Sequence, residues 1–228
     1  MKGVFSIAID GPSGAGKSTV ARAVAQRMGA MYMDTGAMYR AVGLFMLQNG
    51  VPLSDARAIA ENCGRAQVRI GYGQDGQQRV YLGEEDVSEA IRAAEVSLAA
   101  SAVSTVPEVR SRMVALQRDI ARGHNVVMDG RDIGTKVLPD ATLKVFLTAS
   151  AQVRARRRYE ELLRRGMHES YEKVLEELIQ RDELDMGRQA SPLRMAKDAV
   201  EVDCSDMTLE QVVQRVVELA REAMGEDA

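Results

Sequence analysis

Cysteine is almost absent from this chain, and its scarcity removes whole classes of chemistry. Only Cys63 and Cys204 occur. Neither has a second cysteine nearby, so neither belongs to a metal-ligand pair or a redox C-x-x-C, and both read as free thiols. Long apolar runs are missing as well. The one near the N-terminus, Val4-Phe5-Ser6-Ile7-Ala8-Ile9, spans about six residues, too short for the core of a secretion signal and far too short to cross a bilayer. The expectation is a cytoplasmic protein with no membrane contact. A basic excess is lacking too: the net charge of -3 argues against wholesale nucleic-acid binding. No internal repeat, low-complexity tract or flexible linker interrupts the chain, and no Asn-Lys-x-Asp guanine-reading motif occurs in it.

What is present is an ordinary globular composition, 46% hydrophobic and 28% charged over 228 residues, enough for one well-buried α/β core with at most a small appended lobe. The most informative stretch is Gly11-Pro12-Ser13-Gly14-Ala15-Gly16-Lys17-Ser18, which fits the phosphate-binding pattern G-x-x-x-x-G-K-[ST] at every position. Its glycines let the backbone turn N–H groups inward, Lys17 can reach the outer phosphates of a nucleotide, and Ser18 can offer a hydroxyl to Mg²⁺. The flanks suit this role. A short β-rich run precedes the loop, and Val20, Ala21, Val24, Ala25 and Met28 follow it at helical spacing with Gly29 placed to close the helix. The amides of Ser18 and Thr19 would then point at bound phosphate.

Further along, Ala30-Met31-Tyr32-Met33 reads as a strand running into a helix through Asp34-Thr35-Gly36-Ala37-Met38-Tyr39-Arg40. Ligands gather at the carboxyl ends of parallel strands, which would bring Thr35 and Arg40 to the phosphate-loop side. Thr35 reads equally as a helix N-cap, and Arg40 as a solvated side chain. Residues 66–70 and 78–82 flank an Asp75-Gly76 pair and predict a small antiparallel insert. Glu84 to Val87 then lead back toward a helix in which Ile91, Val96 and Leu98 are the buried positions, and Thr105 to Glu108 carries capping-box spacing for the next helix. The strand Asn125-Val126-Val127-Met128-Asp129 ends in the acid expected of a Mg²⁺-side carboxylate, and Gly130-Arg131-Asp132-Ile133-Gly134-Thr135 follows it directly.

Arginine then crowds one stretch, at Arg154, Arg156, Arg157, Arg158, Arg164 and Arg165. Arg154, Arg157 and Arg158, at i, i+3 and i+4, share a helix face that repels itself unless an anion is near. A triphosphate lid, a solvated face paired with Glu160 and Glu161, and a single-stranded nucleic-acid contact all suit that spacing. Tyr171, Val174, Leu175, Leu178 and Ile179 form the apolar stripe of another helix, with Arg181, Asp185 and Arg188 on its other face. A last strand near residue 199 and a helix capped by Thr208-x-x-Gln211 complete five parallel strands, near 4, 30, 125, 143 and 199. This is a doubly wound α/β phosphate-loop fold.

The phosphate loop with Asp10, the Asp34–Arg40 and Asp129–Thr135 stretches, the insert, and Arg181-Asp182-x-x-Asp185-x-x-Arg188 together resemble the bacterial cytidylate kinases, in that family's order and over nearly the whole chain. The resemblance implies transfer of the γ-phosphoryl group of ATP, with Mg²⁺, to CMP or dCMP. It implies a core (1–62, 101–150 and 189–228), a monophosphate-binding insert (63–100) and an arginine lid with the helix after it (151–188). Residue by residue, it implies ATP contacts from Gly11 through Thr19 and from Arg154, Arg157 and Arg158, and a metal held by Ser18 and Asp129. Ser101, Arg110 and Asp132 match positions that read cytosine, Arg40, Arg131 and Arg188 those that hold its phosphate, and Arg181 with Asp185 those that face the sugar. Thr35 belongs with these acceptor residues. Lys17, Arg131, Arg157 and Arg188 are the expected catalytic cations. Two positions depart from the family's habit: Thr35 stands where Ser is common, and Ser18 where some members have Gly. Both keep a hydroxyl. A monomer without nucleic-acid partners is expected. Left open are a kinase for another small acceptor, such as UMP or a hydroxyl metabolite, and a nucleotide-binding regulatory protein without turnover.

Overall fold

The computed structural model describes residues 4–74, 76–164, 166–188 and 190–225. Asp75 of the expected turn and Arg165 of the arginine-rich stretch lie outside them. In chain order the elements are β1 (Ser6–Asp10), α1 (Lys17–Met28), β2 (Met31–Asp34), α2 (Thr35–Gln48), α3 (Ala56–Cys63), β3 (Val68–Tyr72), β4 (Gln78–Leu82), β5 (Glu85–Asp86), α4 (Ala94–Val103), α5 (Pro107–Ala121), β6 (Val126–Gly130), β7 (Leu143–Thr148), α6 (Ala151–Arg164), α7 (Tyr171–Gly187), β8 (Val200–Asp203) and α8 (Leu209–Ala223). A 3₁₀ turn at Ala90–Arg92 and a π-helical turn at Ile133–Val137 complete them. Among the described residues no helix is long and apolar enough to cross a membrane.

The chain divides into two compact units, one of residues 1–32 and 123–228 and the other of residues 33–122. In the first, the sheet runs in the order β2-β6-β1-β7-β8. Ile7 pairs with Val127 on one side and Leu143 on the other, and β8 lies parallel to β7. This is the expected doubly wound sheet. Burial on both faces explains why β1, β6 and β7 read as nearly unbroken apolar runs. Val20, Ala21, Val24 and Ala25 of α1 and Val212, Val213, Val216 and Val217 of α8 close over Ile7, Val127, Val145 and Leu147. Each of these valine, isoleucine and leucine side chains contributes about 1.5–3 kcal/mol on full burial. Gly29 closes α1 in the left-handed conformation, and Thr208 with Gln211 forms a complete capping box on α8, both as the sequence predicts.

The second unit holds the antiparallel sheet β3-β4-β5 and a core of Ala37, Ala41, Leu44, Val80, Val87, Ile91 and Val96. Three expectations fail here. Glu85 and Asp86 do not lead straight back to helix but form a third strand, opposite Leu82 and Tyr81. Leu98 is 73% exposed, because the buried stripe of α4 runs Val96, Ala99, Val103 and leaves Leu98 on the far side. Thr105 does not cap α5: its hydroxyl donates to the Ala102 carbonyl, Val106 stands at the N-cap without a side-chain bond, and Pro107 opens the helix. Proline there lacks only an N–H that would have had no intrahelical partner.

The α4 stripe is narrow because α2 comes close to it. A Cβ on Gly43 would lie 2.9 Å from the Ala100 nitrogen and 3.0 Å from the Ala99 carbonyl carbon. Gly43→Ala is therefore expected to destabilise the protein by about 1–3 kcal/mol through overpacking, read as a lowered midpoint in thermal unfolding with the active-site residues untouched.

Candidate active site

The phosphate loop is built by backbone shape. Gly11 has φ 148°, and a Cβ there would fall 2.0 Å from the Leu147 carbonyl oxygen, so β7 and the loop can approach this closely only at glycine. Gly16 is the N-cap of α1 with φ 90°, supplies no capping side chain, and is followed by a first turn free of acids. The first turn of α1 thus sets no acid of its own beside its leading amides, which suits an anion. Lys17 is 6% exposed, and its Nζ donates to the Pro12 carbonyl at 2.7 Å, folding the side chain back over its own loop. Burial holds its ammonium well below the usual range, and the positive charges of Arg131 and Arg181 depress it further.

Asp129 ends β6 beside the loop. Ser18 Oγ donates to its Oδ2 at 2.8 Å and Tyr32 Oη donates to its Oδ1 at 2.9 Å. A hydroxyl and a carboxylate oxygen side by side are the donor types a hard divalent cation takes. Among the described residues no cluster of three or more His, Cys, Asp or Glu side chains could hold a metal by itself, so a cation here would keep water and phosphate oxygens in its shell.

Asp10, at the end of β1, does work that its sequence position did not announce. Its two oxygens accept from the amides of Ile133 and Gly134 at 2.8 and 2.7 Å, which fastens the loop carrying Arg131 and Asp132 to the strand before the phosphate loop. Burial pushes its carboxyl up to about 6 even against those two donors. Asp132 itself is buried.

The helices after β7 depart most from expectation. Their buried stripe on α7 runs Val174, Leu178, Asp182, Asp185, so the acids continue the apolar face instead of opposing it, while Ile179 is 40% exposed. Nor do Arg154, Arg157 and Arg158 converge. Arg154 is buried, donates from Nε to the Ala149 carbonyl and from Nη1 to the Ser13 carbonyl of the phosphate loop, each at 2.9 Å, and pairs with Asp182 at 2.7 Å. Arg157 donates to the Cys204 carbonyl at 2.8 Å, and Arg158 pairs with Glu161 at 2.8 Å on an exposed surface. The three arginines of one face therefore go to separate partners, and mutual repulsion is relieved locally. Gly14 packs against Arg154 and Leu178, which seats α6 and α7 on the loop. Asp185 is the second focus: it accepts from Arg131 Nε at 2.7 Å and pairs with Arg188. The structure thus brings together Lys17, Ser18 and Asp129, and joins Arg131, Asp185 and Arg188, with Arg131 near enough to act on Lys17.

Thr35, Arg40, Ser101 and Arg110 belong to the second unit. Asp34, not Thr35, caps α2 by accepting from the Ala37 amide, and its other oxygen pairs with Arg40 at 2.8 Å. Arg40 Nε is buried with no hydrogen-bond partner. Arg110 donates to the Ser104 carbonyl at 3.1 Å with its guanidinium 5.6 Å from the Tyr39 ring centre, and Ser101 is exposed on α4, its hydroxyl donating to the Ser97 carbonyl at 3.3 Å.

Residues 7–222 match the sequence profile of one family, cytidylate kinase. The chain belongs to the cytidylate kinase family. It is 54% identical over 215 residues to the cytidylate kinase of Caldanaerobacter subterraneus subsp. tengcongensis, with 94% of each chain covered. It is 50% identical over 217 residues to that of Mycobacterium avium, with 95% of each covered. Among solved structures it resembles a gluconokinase from Sinorhizobium meliloti (20% identity, TM-score 0.50, 97% of this chain and 94% of that one) and an uncharacterised protein from Eubacterium ventriosum (12% identity, TM-score 0.52, 96% and 99%). At such identities the structural likeness concerns the fold alone. Membership of a kinase family implies a nucleotide phosphoryl donor with a divalent metal. Asp10, Tyr32, Asp34 and Asp182 carry no spacing signal of their own. Only their place next to recognised motifs could have drawn attention to them.

Proposed function

We propose that this family member transfers the γ-phosphoryl group of ATP, accompanied by Mg²⁺, to CMP or dCMP in the cytoplasm. The observation that carries the reading is electrostatic. Burial first and the charge of Arg131 next disfavour the Lys17 ammonium, with a smaller push from Arg181, against the opposing pull of Asp129 and Asp10; an incoming anion would offset that cost. A polyphosphate does so, and its arrival would release Lys17 from the Pro12 carbonyl and favour its charged form.

Gly11 through Thr19 hold the donor phosphates, with Arg157 and Arg158 assigned to ATP and Arg154 acting through its grip on the Ser13 carbonyl. Ser18 and Asp129 would hold Mg²⁺, which supplies charge neutralisation on the transferring group. Arg40, Arg131 and Arg188 are assigned to the acceptor phosphate and Arg181 with Asp185 to the sugar. Ser101, Arg110 and Asp132 are assigned to the acceptor's base end, and Thr35 to acceptor binding. Asp185 does a second job by holding Arg131 and Arg188 in place before any ligand arrives, and such preorganisation is worth most where charge develops. No protein base is required, since a nucleoside monophosphate is already a competent nucleophile at neutral pH, its second pKa lying near 6. Lid helices α6 and α7 would exclude water that could take the phosphoryl group instead.

An ADP-coupled assay with CMP, dCMP, UMP and AMP tests this. CMP and dCMP should be the preferred acceptors. Cytosine offers an amino donor and a ring acceptor, so Asp132→Ala is expected to erode the preference for CMP over UMP by at least about tenfold while leaving ATP affinity intact. A purified protein that leaves ATP unchanged when offered CMP would refute the proposal, and an unaltered CMP preference in Asp132→Ala would refute the role given to Asp132.

A further inference from the structure

We propose that Tyr32 is a positioning residue for the cation that accompanies the nucleotide, acting through Asp129; the inference rests on the assignment of Asp129 to that cation. Tyr32 lies on β2, and its phenol donates to Asp129 Oδ1 at 2.9 Å. Ser18, the loop residue assigned to the same cation, donates to Oδ2 at 2.8 Å. The Asp129 carboxylate is 4% exposed, so a hydroxyl on each oxygen both stabilises its charge and fixes its rotation. The Tyr32 ring is held in turn: the guanidinium of Arg22 lies 5.2 Å from its centre, and Arg22 stands four residues after Ser18 on α1. Helix α1 therefore reaches the carboxylate twice, directly through Ser18 and indirectly through Arg22 and the tyrosine. With Oδ1 engaged by Tyr32, Oδ2 is the oxygen presented beside the Ser18 hydroxyl, the pair of atoms a hard cation would use. Tyr32 acts on Asp129, and Arg22 on Tyr32, so the role is orientation and not catalysis.

Tyr32→Phe removes one hydroxyl and keeps the ring beneath Arg22. Binding of a non-hydrolysable ATP analogue, measured by calorimetry with saturating Mg²⁺ and again in EDTA, separates the metal-dependent part of the affinity from the rest, and Asp129→Asn is measured alongside. The metal-dependent gain in affinity should fall about tenfold in Tyr32→Phe, in line with other losses of a group that orients a metal ligand, whereas binding in EDTA and binding of CMP should match the unaltered protein. Equal weakening with and without Mg²⁺, or no weakening at all, would overturn the role given to Tyr32. If Asp129→Asn kept the full metal-dependent gain, the assignment of Asp129 would fail and the inference with it. If Asp129→Asn lost the gain while Tyr32→Phe kept it, the failure would belong to Tyr32 alone.

Discussion

Lys17→Ala will lose turnover by at least roughly 10²–10³-fold while folding as well as the unaltered protein, or better. The two halves of that result have one cause. The ammonium is buried against the Pro12 carbonyl, with burial the largest influence on it and the charge of Arg131 the next, so the folded chain binds its proton less tightly than the unfolded chain does. Between the lowered folded value and the ordinary lysine value the unfolded state carries more protons, and stability there rises with pH. Below that window Lys17 costs stability in full, and removing it removes the cost. A site that destabilises its own protein in order to receive a ligand is a familiar trade between stability and function. The measurement is kcat from ADP release together with thermal unfolding at pH 7 and pH 9. A variant that lost activity only because it unfolded would contradict the role given to Lys17. So would one whose gain in melting temperature did not shrink at the higher pH.

The second large effect belongs to Asp185. Its side chain is 6% exposed and joins Arg131 to Arg188, themselves 20% and 14% exposed. Asp185→Ala leaves two guanidinium groups facing each other with their shared counter-charge gone, which for buried pairs costs roughly 3–5 kcal/mol. The same change frees the two arginines assigned to the acceptor phosphate, and misplacement on the scale of 1 Å costs about 10²-fold in rate. The expected outcome is a clear fall in melting temperature and a rise in KM for CMP that exceeds any change in KM for ATP. Asp185→Asn keeps the shape and one acceptor oxygen, so it should recover part of the stability and less of the acceptor binding. Equal effects on both substrates would show that Asp185 acts through folding alone.

Asp182 offers a useful contrast. It too is a buried acid on α7, but its arginine, Arg154, spends its other donors on the Ala149 and Ser13 carbonyls. That pair ties α6 and α7 to the phosphate loop, whereas Asp185 joins Arg131 to Arg188. Two acids three residues apart on one helix face have different arginine partners, Arg154 of α6 for Asp182 and Arg131, which follows β6, for Asp185.

The phosphate loop, the five core strands, the helix caps at Gly29 and Thr208 and the family itself were all legible in the sequence, because each is written in residues close together in the chain. A glycine pattern, an apolar run before it and a 3.6-residue repeat after it need no knowledge of distant partners. What those local patterns could not supply is what a given face packs against. The spacing of Arg154, Arg157 and Arg158 identifies a shared face, but Arg154 finds its carbonyl 141 residues away, Tyr32 finds Asp129 97 residues away, and Arg131 finds Asp185 54 residues away. Leu98 and Ile179, whose spacing predicts burial, lie exposed for the same reason. Hydrophobicity says that a side chain gains by burial, while the neighbouring helices decide which side is covered, and on α7 they cover Asp182 and Asp185 because arginines wait there to neutralise them. Sequence alone therefore determined the fold and the chemistry that the chain can hold. Tertiary contact decided which cations are committed to structure, which are poised around the loop, and which tyrosine steadies the carboxylate beside it.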